Sequence, residues 1–256
     1  MQLNSSVSLA RDFARALSPL AFAADCGIEN PDPWQIDVLT TNSKRMLLCC
    51  SRQAGKSTVS ALLALHQLVY RPPSTVILIS PSLNQSVELY RRLHQFYEKI
   101  PGLAKATQES LTRLSLDNGS RVLSLPGSEK SSRGFTADMV IVDEAARVDD
   151  ELFAAITPTM ATKPDARMVA LTTPSGRRGW FFEQWTSGEG WKKVSVTASQ
   201  CPRISQSFLN EQMRALGPLR FAAEFNCEFH DDEMSTFNSD LIRRAFSHDD
   251  FEPIHI

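Results

Sequence analysis

No run in this 256-residue chain approaches the roughly 20 consecutive apolar residues that a membrane helix requires. Its amino terminus also lacks a basic segment followed by a continuous apolar core, so neither a span nor a secretory leader is expected. Cysteine is scarce. The five present, Cys26, Cys49, Cys50, Cys201 and Cys227, show no C-x-x-C spacing, and their odd number prevents a complete set of internal disulfides. A reducing cytosol is the simplest compartment. A dominant charge is missing too: 27 Lys and Arg face 29 Asp and Glu, and a net charge of −2 builds in no global attraction to nucleic acid. Four doublets, Arg91-Arg92, Arg177-Arg178, Lys192-Lys193 and Arg243-Arg244, could form local basic patches, although isolated exposed pairs are ordinary solvated surface. What the chain does have is 42% apolar content, enough for a substantial core in one mid-sized domain.

One further absence is more informative. Residues Ser51-Arg52-Gln53-Ala54-Gly55-Lys56-Ser57-Thr58 would complete the phosphate-binding pattern G-x-x-x-x-G-K-[ST] if a glycine stood where Cys50 stands. A nucleotide's phosphates need backbone N–H groups at a helix N-terminus, where partial positive charge accumulates, plus an ammonium that reaches the outer phosphates. Lys56 fits that ammonium, and Ser57 offers a hydroxyl to magnesium. An apolar stretch, Met46 to Cys50, precedes the loop, and a helical stripe of Val59, Leu62, Leu63, Leu65, Leu68 and Val69 follows it. Because a Cβ at Cys50 narrows the backbone conformations available, a basic turn entering an ordinary surface helix remains an alternative for the loop taken alone.

A second element carries the complementary chemistry. Met139-Val140-Ile141-Val142 reads as a strand buried on both faces, ending in Asp143-Glu144. At the C-terminal edge of a parallel sheet, Asp143 is placed to hold magnesium through its water and Glu144 to polarise an attacking water. A strand closed by a solvated acidic turn is the plain alternative, and the conjunction with the loop speaks against it. The tetrapeptide Thr162-Lys163-Pro164-Asp165 has the residue pattern of a guanine reader, but it precedes a strand-like run, Met168 to Thr173, instead of following one. It is expected to be a polar turn. Apolar runs at 45–50, 75–80, 139–142 and 168–173 alternate with helical patterns from Ser57, through 84–99 and near 150–160. They predict an α/β fold with a mainly parallel sheet and crossover helices. Asp117-Asn118-Gly119, between alternating apolar residues over 111–125, predicts an antiparallel hairpin at the sheet's edge. Beyond Ser199, helical segments are expected at 208–216 and 220–225.

Together these residues resemble the ATPase domain of the large terminase subunit, the motor that packages DNA into tailed-phage and related viral heads. The resemblance rests on Pro31-Asp32-Pro33-Trp34-Gln35, the glycine-poor Arg-Gln-x-Gly-Lys-Ser loop, the apolar-Asp-Glu-Ala strand and Thr172-Thr173-Pro174, and spans the chain from about residue 20 to residue 235. That family tolerates replacement of the first glycine. The resemblance implies a P-loop, RecA-like core over residues 1–200, with a small helical lid and linker over 201–256 leading toward a nuclease domain. Residues 234–256 are too few for such a nuclease, which is expected to lie outside this sequence.

The same resemblance implies ATP and Mg2+ as cofactors, with nucleotide contacts from Ser51, Arg52, Gln53, Ala54, Gly55, Lys56, Ser57 and Thr58. It assigns adenine reading to Gln35, whose amide can donate and accept at once, with Trp34 as a stacking wall. Ser57 and Asp143 hold the metal, while Lys56, Arg52 and Glu144 are catalytic. Arg133 matches an arginine sent into a neighbouring subunit's ATP, and Thr172 and Thr173 match a coupling segment similar to motif III of helicases. The implied partners are double-stranded DNA, the portal protein of the procapsid, the small terminase subunit and further copies in a homo-oligomeric ring, with a monomer compatible with the isolated domain. No membrane is involved, and the implied location is the cytoplasm of the infected bacterial host, docked on the procapsid. His230-Asp231-Asp232-Glu233 is expected to be solvated linker, not a metal site. A superfamily-two helicase shares the loop, the acidic pair and the third motif but needs a second similar domain. A non-catalytic assembly or DNA-binding module would have no use for Lys56 and Glu144.

Overall fold

The apolar runs form strands where the periodicity places them. The computed structural model describes residues 3–126 and 134–230. Helices α1 (Leu3–Leu17), α2 (Pro19–Asp25) and α3 (Pro33–Thr40) lead into β1 (Arg45–Cys50), α4 (Lys56–Tyr70), β2 (Thr75–Ser80) and α5 (Leu83–Lys99). Three short strands follow, β3 (Ala106–Ser110), β4 (Arg113–Leu116) and β5 (Arg121–Pro126). Then come β6 (Met139–Asp143), α6 (Asp150–Ile156), β7 (Arg167–Thr172), α7 (Gly179–Thr186), β8 (Lys192–Val196) and α8 (Gln206–Asn226).

All the described strands join one sheet in the order β3-β4-β5-β2-β6-β7-β1-β8. From β5 to β8 every neighbouring pair is parallel, so the chain has the expected α/β architecture. The arms of the expected hairpin are β4 and β5 around Gly119 (φ 84°); β5 pairs in parallel with β2, so the antiparallel addition consists of β4 with β3 beyond it. The outermost strand is β3, paired to β4. Its sequence, Ala-Thr-Gln-Glu-Ser, is exposed throughout and has no apolar alternation to announce a strand.

The central strands are apolar in runs because the sheet is covered on both faces. Val76, Leu78, Met139, Ile141, Val169 and Leu171 enter one core with α2 to α5. Their neighbours Ile77, Ile79, Val140, Val142, Met168 and Ala170 enter a second core with α6 and α7. This period-2 division fixes the register and brings the ends of β6, β7 and β1 side by side at one edge of the sheet. The residues Thr162 to Asp165 lie at the opposite edge, before β7, where Lys163 pairs with Asp138 (2.9 Å) and Asp165 with Lys44 (3.1 Å). They form the expected polar turn.

Candidate active site

The loop between β1 and α4 is curled by two positive φ angles, 62° at Gln53 and 97° at Gly55. Gly55 is the residue before the first turn of α4, and a Cβ there would lie 2.7 Å from Gln35 Nε2. The missing first glycine has a simple explanation. Cys50 is a fully buried strand residue in register with Val196 of β8, so its position asks for no conformation that a side chain forbids. The loop is held by Ser51 N–H, which donates to Val196 O (2.8 Å). Lys56 turns back over it, donating from Nζ to the carbonyls of Cys50 (3.2 Å) and Ser51 (3.0 Å). Ser57 and Thr58 occupy the first turn of α4, where the Thr58 hydroxyl accepts from Arg92 Nη1 (3.3 Å).

Asp143 ends β6 one strand away from β1, with β7 between them. Burial, and then the charge of Glu144, push its carboxyl up to about 6, while the Glu144 N–H and the Lys56 ammonium oppose them. Glu144 itself has φ 50° and ψ 41°, a left-handed conformation that a non-glycine residue adopts at some cost and that clusters at functional sites. Its carboxylate pairs with Arg147. Thr172, at the end of β7, is fully buried and Thr173 nearly so. The Thr172 hydroxyl donates to Thr173 O (2.7 Å) and accepts from Ala146 N–H (3.3 Å). The strand between loop and acids is thereby tied to the turn that carries Glu144.

Beside the loop lies a cavity of about 400 Å³, lined by Gln35, Gly55, Thr58, Arg203 and residues 27–30. That volume falls in the range of small-molecule sites. Asp32 caps α3, and Gln35 Oε1 accepts from Asp32 N–H (3.0 Å), which leaves the Gln35 amide nitrogen directed toward Gly55. Trp34 is in the core with Phe22 and Val38, and its indole N–H is buried without a partner. Arg203 bridges the two walls, donating to Asp32 Oδ1 (2.9 Å) and to Ala54 O (3.0 Å). Arg52 faces the other way. Its backbone N–H donates to Glu224 O (3.0 Å) and its Nε to Glu224 Oε2 (2.5 Å), joining the loop to α8. Arg133 lies outside the described residues.

A family model described as terminase large subunit, T4likevirus-type, N-terminal, matches residues 47–244. The chain belongs to the terminase large-subunit family. It is 28% identical over 178 residues to the terminase large subunit of Thermus virus P23-45, an alignment covering 62% of this chain and 36% of that protein. The chain thus spans well under half the length of that curated relative. The large terminase ATPase domain of Thermus Phage P74-26 superposes with a TM-score of 0.67 at 22% identity, covering 78% of this chain and 94% of that one. The large terminase of bacteriophage HK97 gives a TM-score of 0.65 at 17% identity, covering 78% and 51%. A large terminase from a thermophilic bacteriophage, solved in complex with ADP, gives 0.65 at 12% identity, covering 78% and 54%. At these identities the structural likeness is one of fold.

In this terminase chain, Lys56, Ser57, Asp143, Glu144 and Thr172 meet at one sheet edge, with Gln35 on the neighbouring cavity. Three residues at the site were not singled out from the sequence: Arg147, Arg203 and Glu224. Arg147 had a signal in its spacing three residues after Glu144. Arg203 and Glu224 act on partners 171 and 172 positions away, which no local pattern reveals. Among the described residues, no group of three or more His, Cys, Asp or Glu side chains could hold a metal ion. Residues 231–233 of the acidic run, and Arg243-Arg244, lie outside the described residues.

Proposed function

We propose that this terminase chain is an ATPase whose hydrolysis of ATP drives double-stranded DNA into a procapsid. The observation that supports this best is the convergence of Lys56, from the loop after β1, with Asp143 and Glu144, from the end of β6, while the β7 strand between them ends in Thr172. The donor set suits Mg2+, because the Ser57 hydroxyl and the Asp143 carboxylate are hard oxygen ligands carried to the same sheet edge by α4 and β6. When bound, the metal would neutralise charge on the phosphate oxygens. Lys56 holds the outer phosphates, the backbone from Ser51 to Thr58 cradles them, and Glu144 orients water and takes its proton. Gln35 meets the adenine edge. Trp34 supports α3 from the core and thereby positions Gln35.

Residues 1–200 act as the ATPase core and 201–256 as lid and linker, with Arg133 supplying positive charge to a neighbouring subunit's ATP in a homo-oligomeric ring. Portal protein and small terminase subunit are the other partners, and the site of action is the host cytoplasm at the procapsid. No described helix is long and apolar enough to cross a membrane. The test compares nucleotide binding and steady-state hydrolysis in wild type, Lys56→Ala and Glu144→Gln. Lys56→Ala should lose binding, and Glu144→Gln should bind ATP yet turn over at least about 10²-fold more slowly. Wild-type turnover in Glu144→Gln would refute the assignment. Arg133→Ala should spare ATP binding but abolish the stimulation of hydrolysis seen on assembly with portal and DNA. Hydrolysis unaffected by either partner would leave an ATPase without the motor.

A further inference from the structure

Four of the five cysteines gather where β1 ends, and two of them face each other. Cys49 and Cys50 end β1, Cys201 follows β8, and Cys227 closes α8; all are free thiols. Successive residues of a strand point to opposite faces. Cys50 enters the core under α4, while Cys49 points the other way, in register with Thr172 of β7 and Ser195 of β8. On that side Cys49 Sγ lies 3.9 Å from Cys227 O and within hydrogen-bonding reach of the Cys227 sulfur. The Cys227 thiol in turn donates to Val196 O (3.2 Å). Cys227 ends α8 in the left-handed region (φ 61°, ψ 33°), its N–H on Ala222 O. Glycine is the usual residue at such a helix end, because a Cβ there is costly. Packing does not account for the cysteine either, since Cys227 is in none of the hydrophobic clusters that the described residues form. What the side chain does there is meet Cys49.

We propose that Cys227 and Cys49 are a redox-active pair, in which Cys227 is the site that a peroxide oxidises and Cys49 converts the product into a disulfide tying the end of α8 to β1. Cys227 is half-buried and Cys49 fully buried, so the oxidant meets Cys227 first. The hydrogen bond from Cys49, with the Lys56 ammonium adding to it, holds the Cys227 thiol below its ordinary range against the effect of burial. That favours the thiolate, which is the reactive form. The same hydrogen bond, and then burial, push the Cys49 thiol up, so it stays protonated until it is needed. The Cys227 sulfur attacks the peroxide and the O–O bond breaks; one oxygen remains on sulfur as a sulfenic acid and the other leaves as water. The Cys49 sulfur then displaces the sulfenic oxygen as a second water and the S–S bond forms. The two sulfurs have given two electrons to the peroxide, and both thiol protons end in water. A small-molecule thiol reverses the bond, as it does the transient disulfides of reducing compartments. Cys201 is otherwise engaged, its thiol donating to Thr197 O (3.6 Å).

The experiment treats the folded, reduced chain with hydrogen peroxide, blocks the remaining thiols with iodoacetamide, and maps the cysteines by proteolysis and mass spectrometry. Wild type should yield a Cys49–Cys227 cross-linked peptide that dithiothreitol abolishes. Its denaturant midpoint should rise on oxidation and fall back on reduction, because the bond closes a loop of 178 positions in the unfolded chain. Cys49→Ser should leave Cys227 as a sulfenic acid that dimedone captures, and Cys227→Ser should leave Cys49 alkylable after peroxide. Cys227→Gly takes the left-handed cap without strain, so it should fold with no loss of stability and form no cross-link, which supplies a folded control should the serine variant fail. A peroxide-treated wild type in which Cys49 and Cys227 both remain alkylable, or whose cross-link joins other cysteines, overturns the proposal. So does dimedone capture at Cys50 or Cys201 ahead of Cys227 in Cys49→Ser.

Discussion

Gly55 and Cys50 bracket the loop between β1 and α4 and answer opposite questions about it. At Gly55 a Cβ would meet Gln35 Nε2 at 2.7 Å and Arg203 Nη2 at 3.4 Å, and the φ of +97° is itself costly for any other residue. Gly55→Ala should lower stability by about 1–3 kcal/mol in thermal unfolding and abolish nucleotide binding in a calorimetric titration. At Cys50 the expectation reverses. Restoring the motif with Cys50→Gly would remove a buried side chain from a regular strand, so it should cost about 1 kcal/mol or more and leave nucleotide affinity unchanged. Tighter binding by that variant would mean that the loop's geometry, not its strand, had been limited by the cysteine. Lys56, Ser57, Asp143 and Glu144 were legible because each stands in a short pattern with a local cause. The direction of Arg52 was not. Nothing near it in the chain says that a carboxylate of α8 is its partner.

At the scale of elements, the strands buried on two faces were legible to within a residue, since continuous apolar runs allow little else. The edges were not. In β8 the residues Lys192 and Lys193 read as a solvated doublet, yet Lys192 lies in a strand and pairs with Asp37 of α3 (2.6 Å); charge on an edge strand discourages further pairing. Helix α1 gave no motif, and what joins it to α2 is electrostatic. Arg11 Nε (3.0 Å) and Arg15 Nε (2.5 Å) both donate to Asp25 Oδ2. The Arg11 hydrogen bond above all, with Arg15 adding to it, holds the Asp25 carboxyl at about 2, below its ordinary 3.8. Between those values the native state binds fewer protons than the unfolded chain, so this contribution is complete above about pH 4 and is lost as pH falls toward 2. Asp25→Asn should cost up to about 2 kcal/mol at neutral pH and flatten the acid limb of a plot of Tm against pH. An unchanged acid limb would show that the pair does not hold the helices together.

Across the whole molecule, the position of β7 between the loop strand and the acid strand puts Thr172 next to both. Thr172 binds the turn that carries Glu144, and the chain runs on from Thr173 through residues 174–178 to α7. In that connection Arg177 Nε donates to Phe229 O (3.0 Å), and the Phe229 ring lies 5.2 Å from Phe182 and 6.3 Å from Trp185. The segment leaving α8 is therefore fastened to the loop that follows β7. Thr172 is joined to the segment after α8 through one short loop and one hydrogen bond, whereas Arg52 is joined to it through α8. Removing the first route should not disturb nucleotide binding, since Arg177 touches neither loop nor acids. Arg177→Ala is thus expected to keep ATP affinity and basal hydrolysis within about twofold of wild type, a loss below 0.5 kcal/mol, while amide exchange at 227–229 rises and ceases to depend on which nucleotide is bound. DNA-stimulated hydrolysis should fall in the same variant. If exchange at 227–229 still followed the nucleotide, the connection through α8 would be sufficient by itself and the loop after β7 would serve only to anchor Phe229.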